Sequence, residues 1–62
     1  MMEWINIEDS KPEDGKSVLL FDVFRNIKFG FYEKNNDLFR SLLDDSKVNA
    51  THWMPLPEPP VL

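Results

Sequence analysis

Two runs rich in β-branched and aromatic residues, Ser17–Phe24 and Ile27–Lys34, are separated by only Arg25 and Asn26. So short a connection between two strand-like runs allows little except an antiparallel hairpin. With Arg25-Asn26 as the loop, Phe24 faces Ile27, Asp22 faces Phe29, Leu20 faces Phe31 and Val18 faces Glu33. That register gathers Val18, Leu20, Phe24, Ile27, Phe29 and Phe31 on the core side. It leaves Leu19, Phe21, Val23, Lys28 and Tyr32 on the other, with the Phe21 ring over Gly30. Arg25 suits a left-handed backbone poorly, so a longer loop stays open, and a slip by one residue would exchange the faces. In either register both faces are apolar, whereas a sheet with one solvated face shows polar alternation. The second face needs a cover: the N-terminal strand, the C-terminal segment or another chain.

The remaining sequence has little material for that task. The 62 residues include eight aromatics and no cysteine, which suits one small packed domain, 1–62, with no disulfide staple. A domain this short buries only ~60% of its unfolded surface, so every covered apolar group matters. Trp4–Ile7 reads as a short strand, and Glu8–Lys16 as a loop in which Pro12 pre-sets φ and Gly15 supplies a positive one. Leu38, Phe39, Leu42 and Leu43 fit helical spacing, with Asp37 as a cap. A third strand over residues 37–42, followed by an acidic loop at Asp44-Asp45-Ser46, is the preferred reading, with a single helical turn as the alternative. Val48–Met54 gives a fourth strand, with Val48, Ala50, His52 and Met54 on one side and Thr51 and Trp53 on the other; Pro55 ends it. The expected fold is mainly β: a small antiparallel sheet of three to four strands on a central hairpin, at most one short helix, and an extended proline-rich tail over 55–62. The tail favours polyproline II and serves either as a cover for the sheet or, through Pro57-Glu58-Pro59-Pro60, as a P-x-x-P ligand; the cover is preferred.

The formal net charge of −4 comes from eleven acids and seven bases. The acids occur in short pairs, Glu8/Asp9, Glu13/Asp14 and Asp44/Asp45, and the bases are scattered singly. Direct nucleic-acid binding, which concentrates Lys and Arg on one face, is therefore not expected. No apolar run approaches the ~20 residues that span a bilayer, and the N-terminus lacks the basic and apolar regions of a signal peptide. A cytosolic location is expected, which leaves the sequon Asn49-Ala50-Thr51 without meaning.

Reactive chemistry is poorly provided for. His52 is the single histidine, and with no cysteine it cannot assemble a typical metal site. Ser10, Ser17, Ser41, Ser46 and Thr51 sit in no nucleophile motif, and Gly15 and Gly30 cannot form a phosphate-binding loop. His52 reads as a structural, hydrogen-bonded side chain. No catalytic residue, metal or cofactor is expected, and the chain does not read as an enzyme.

The two ends of the chain are less generic. Trp4-Ile5, then Lys11-Pro12-Glu13-Asp14-Gly15, then Val18-Leu19-Leu20 resembles the opening of a small phage and prophage family catalogued as a domain of unknown function. Its closing signature is similar to Thr51-His52-Trp53-Met54-Pro55-Leu56-Pro57-Glu58-Pro59-Pro60. Lys11 stands where that pattern has leucine, which implies looser packing of the N-terminal loop. The resemblance implies a phage origin and a compact domain, and it supplies no catalytic residues.

Together these features suggest a non-enzymatic phage or prophage accessory protein that binds a host protein, with inhibition of a host defence protein as one such role. The candidate contact residues are Leu19, Phe21, Val23, Tyr32 and Trp53 as the apolar patch and Asp44 and Asp45 as an acidic rim. Two alternatives stay open: a self-associating structural or assembly module with no separate target, and an acidic nucleic-acid mimic. A homo-oligomer is compatible with the first two readings.

Overall fold

The computed structural model describes residues 3–57. Six strands form one sheet: β1 (Ile5–Asn6), β2 (Ser17–Asp22), β3 (Ile27–Glu33), β4 (Leu38–Ser41), β5 (Lys47–Val48) and β6 (Ala50–Pro55). Their spatial order is β1-β6-β2-β3-β4-β5, with every neighbouring pair antiparallel. The mainly β expectation holds, with six strands in place of three or four, because short pieces at both edges pair as well. Residues 38–41 are strand, as preferred, and the one helical piece among the described residues is a single 3₁₀ turn, Lys34–Asn36. Of the proline-rich tail, Pro55 closes β6 and Leu56 and Pro57 follow it; the rest lies outside the described residues.

The hairpin register differs from the two-residue expectation. Phe21 pairs with Ile27, Leu19 with Phe29 and Ser17 with Phe31. The cause is Asp22. Its carboxylate Oδ1 accepts hydrogen bonds from the backbone N–H of Phe24 at 2.9 Å and of Asn26 at 2.8 Å. The Asp22 N–H donates to the Asn26 carbonyl, and the Arg25 N–H returns to the Asp22 carbonyl, both at 3.0 Å. The loop is therefore Val23-Phe24-Arg25, with Arg25 itself in the left-handed region at φ 65°. The pairing moves by three residues, an odd number, so β3 turns its other set of side chains to the face that holds Val18 and Leu20.

The core face accordingly carries Val18 and Leu20 with Tyr32, where Phe29 and Phe31 were expected. Phe39 pairs with Tyr32 and Val48 with Phe39, which extends the core across β4 and β5. Phe21 does not lie over Gly30; Leu20 does. A Cβ at Gly30 would collide with the Leu20 side chain and the Arg40 carbonyl oxygen.

On β6 the expected sorting also changes. A bulge opposite Phe21 and Asp22 pairs Phe21 with His52 and Asp22 with Ala50, which leaves Thr51 unopposed. Ala50 and Trp53 then share the core face although they are three residues apart, while His52 and Met54 point the other way, beside Phe21 and Leu19.

The cover over the core comes from the loop between β1 and β2. Pro12 is buried, the Trp53 indole N–H donates to the Ser10 carbonyl at 3.0 Å, and Ile7 packs on the core cluster. The Gly15 N–H donates to the Tyr32 carbonyl at 2.8 Å, and the Asp14 carboxylate accepts the Lys34 N–H at 2.8 Å. Gly15 has the positive φ, 77°, that its turn requires.

Gly30→Ala should destabilise the chain at least as much as Leu20→Ala, itself expected to cost about 2–5 kcal/mol. Arg25→Gly should leave stability equal or raise it by up to about 1 kcal/mol, because it relieves a left-handed arginine. Urea unfolding of the three variants decides; a Gly30→Ala midpoint equal to wild type contradicts the close approach.

Candidate interaction face

The face opposite the core is also apolar. β2 gives it Leu19 and Phe21, and β3 gives it Ile27, Phe29 and Phe31, placed directly across from Phe21, Leu19 and Ser17. From β6 come His52 beside Phe21 and Met54 beside Leu19. Trp4, just before β1, completes one end: its ring lies 5.7 Å from Phe21, and Phe21 meets His52 edge-on at 6.2 Å. Trp4, Phe21 and His52 line a shallow cleft of about 150 Å³. Met54 is buried, Phe21 and Leu19 are half-buried, and Ile27 and Phe29 are mostly exposed.

The sequence candidates divide between places. Leu19 and Phe21 do lie together on this outer face. Tyr32 and Trp53 lie on the core face beneath the β1–β2 loop, Tyr32 being only 7% exposed. Val23 is exposed at the hairpin tip, where its N–H donates to the Asn49 carbonyl at 3.1 Å. Asp44 and Asp45 are exposed on the β4–β5 loop, where the Asp44 carboxylate accepts the Ser46 N–H and hydroxyl and Asp45 takes a φ of 62°. Ile27 and Phe29, read as core, are solvent-facing. Their role was hidden by register alone, since residue type does not tell two apolar faces apart.

His52 is held by hydrogen bonding. Thr51 Oγ1 donates to the Phe21 carbonyl at 3.2 Å and lies 2.8 Å from His52 Nδ1. A hydroxyl has one proton and the carbonyl can only accept, so Nδ1 carries the proton shared with Thr51. Among the described residues no three His, Cys, Asp or Glu side chains converge as a metal site, and no helix is long and apolar enough to cross a membrane.

A latch of three polar side chains holds the β1–β2 loop on the core face, which leaves the outer face as the open one among the described residues. Lys11 Nζ lies 2.5 Å from Asp37 Oδ1 and 5.5 Å from the centre of the Tyr32 ring. The Tyr32 hydroxyl donates to the same Asp37 oxygen at 2.5 Å. Hydrogen bonds from Lys11 first and then Tyr32 hold the Asp37 carboxyl below its ordinary range. The bond to Asp37 raises both the Lys11 ammonium and the Tyr32 phenol. Lys11 thus closes the loop by charge. Three other carboxyls are lowered: Asp22 chiefly by the Asn26 N–H, Glu33 by the Asn36 amide, and Asp44 by the Ser46 hydroxyl.

A family described as "Protein of unknown function (DUF551)" matches residues 3–61. The chain is also similar to an uncharacterized 7.8 kDa protein from the ral-gp17 intergenic region of Salmonella phage P22. The two are 39% identical over 67 aligned positions, covering 95% of this chain and 97% of the phage protein. No solved structure matches.

The latch makes stability depend on pH at both ends. Asp37 contributes above its ordinary value of 3.8, and that contribution is lost as pH falls through its lowered folded value. Lys11 and Tyr32 contribute below their ordinary values of 10.5 and 10.0, and their share is lost as pH rises through the raised folded ones. A stability plateau between roughly pH 4 and pH 10 is expected. Asp37→Asn, which keeps the left-handed backbone, should flatten most of the alkaline limb and part of the acid one, since Asp22, Glu33 and Asp44 still titrate. Denaturant midpoints measured against pH test this; a variant profile parallel to wild type contradicts the latch.

Proposed function

The chain belongs to the DUF551 family, and on that premise we propose that it is a non-enzymatic accessory protein with which a phage or prophage binds a host protein in the host cytosol. Inhibition of a host defence protein is the use we assign to that binding. The observation that carries the reading is the asymmetry of cover. The β1–β2 loop closes one apolar face of the sheet, while Trp4, Leu19, Phe21 and His52 remain accessible on the other. Aromatic side chains on a rigid sheet supply contact area at low entropic cost, and tryptophan is the residue most enriched at binding hot spots. The phage relative supports the setting.

Binding of a protein also fits the charges better than nucleic-acid mimicry. Glu8/Asp9 and Glu13/Asp14 lie on the β1–β2 loop and Asp44/Asp45 on the β4–β5 loop, and Asp14 and Asp44 are engaged by Lys34 and Ser46 within the chain. A mimic needs a long row of free charges at phosphate-like spacing. Here the excess charge acts as a solubilising and steering rim.

Affinity capture from host lysate with the tagged chain is the test. A host protein should be retained by wild type and lost with Phe21→Asp and with Trp4→Ala, both of which should keep the wild-type circular dichroism spectrum. Retention of the same proteins by all three would remove the outer face from consideration.

A further inference from the structure

At the end of the hairpin opposite the β6 terminus, the outer face runs on into a further apolar surface. The β3–β4 ladder covers only Gly30–Glu33, so the Ile27–Phe29 half of β3 runs beyond β4. Beside it the β4–β5 loop folds back: the Leu42 N–H donates to the Phe29 carbonyl at 2.9 Å, and Ile27, Phe29, Leu43 and Asp44 line one groove of about 400 Å³. Five large apolar residues are left in the open here, namely Phe24 (75% exposed), Ile27 (62%), Phe29 (59%), Leu42 (50%) and Leu43 (93%). With about 200 Å² for a fully exposed aromatic side chain and somewhat less for an aliphatic one, they present on the order of 600 Å² of apolar area. That is at the upper limit of the largest patch on a typical monomer, ~300–600 Å². With a polar rim it approaches the ~800 Å² that each partner contributes to a standard interface.

We propose that this tip is the contact face for a second copy of the chain, forming a two-fold symmetric dimer. Charges of both signs surround the groove, with Lys28 and Asp44 in its lining. Arg25 is exposed on the hairpin loop, and Asp44 and Asp45 are exposed on the β4–β5 loop. In the proposed dimer the two-fold axis brings the Arg25 loop of each copy to the acidic loop of the other, so that opposite charges meet twice across an isologous interface. Pairing through sheet edges is not the route, because the edge strands β1 and β5 are two residues each, too short to template another strand. Ile27 and Phe29 also lie on the outer face, directly across from Phe21 and Leu19, whereas Leu43 belongs to the β4–β5 loop; Leu43→Asp therefore reads self-association, while Trp4→Ala reads capture of a host protein.

Sedimentation equilibrium of the full chain, from micromolar to hundreds of micromolar, tests the proposal. Wild type should reach twice the single-chain mass of 7.3 kDa and stop there. Leu43→Asp and Ile27→Asp should weaken dimerisation roughly tenfold or more with an unchanged circular dichroism spectrum. Arg25→Asp should do the same and should recover when Asp44→Arg and Asp45→Arg are added to the same chain. A wild-type mass of one chain throughout the range would overturn the proposal. So would a dimer unaffected by Leu43→Asp, or a mass that keeps growing with concentration.

Discussion

The carboxylate of Asp22 determines what the rest of the sheet can be. Only 3% exposed, it accepts two backbone N–H groups of the hairpin loop and lies 3.4 Å from Lys28 Nζ. A buried carboxylate is tolerable only when its lone pairs are met by donors, and here the loop supplies them. In return the loop is fixed at three residues. That length sets which residues of β2 and β3 lie opposite each other, and hence which apolar set is buried. The left-handed Arg25 is the backbone cost of the arrangement.

From that register the division of labour between the faces follows. Leu20 can pack over Gly30 because the two share the core face, and Tyr32 reaches Asp37 because it projects from the same side. The β1–β2 loop then has partners to settle on: the Tyr32 hydroxyl through Asp37 and Lys11, and the Trp53 indole through Ser10. Among the described residues this loop covers the face with Val18 and Leu20. The aromatic face of Phe21, Phe29 and Phe31 has no such loop over it among the described residues.

Much of this was legible in the amino acids. The two strand-like runs, the Glu8–Lys16 loop with its positive-φ glycine, the third strand over 38–41 and the acidic loop after it all follow from composition and period. The sorting of side chains was not legible, for two local reasons. A left-handed arginine is a rare choice, so Arg25-Asn26 read as a two-residue loop, and the odd shift moved Tyr32 inward and Ile27 and Phe29 outward. The bulge at Thr51 then broke the alternation of β6 and carried Trp53 to the core side, a change no pattern of apolar residues announces. The candidate site was half visible for the same reason: Leu19 and Phe21 belong to the outer face, Tyr32 and Trp53 to the core. The covering role of the β1–β2 loop was masked by its polarity, because Lys11 closes it through Asp37 and not through an apolar contact.

The account rests on the hairpin register, and cross-strand Hα–Hα contacts measured by NMR report it without any substitution. Phe21–Ile27 and Leu19–Phe29 are non-hydrogen-bonded pairs in this ladder, the pairs whose Cα atoms approach to about 4.5 Å. Strong Hα–Hα cross-peaks between Phe21 and Ile27 and between Leu19 and Phe29 are the result the account predicts. Cross-peaks that instead join Phe21 to Gly30 and Leu19 to Tyr32, the non-hydrogen-bonded pairs of a two-residue loop, would place Phe29 and Phe31 in the core, and would contradict both the Asp22 loop and the open aromatic face.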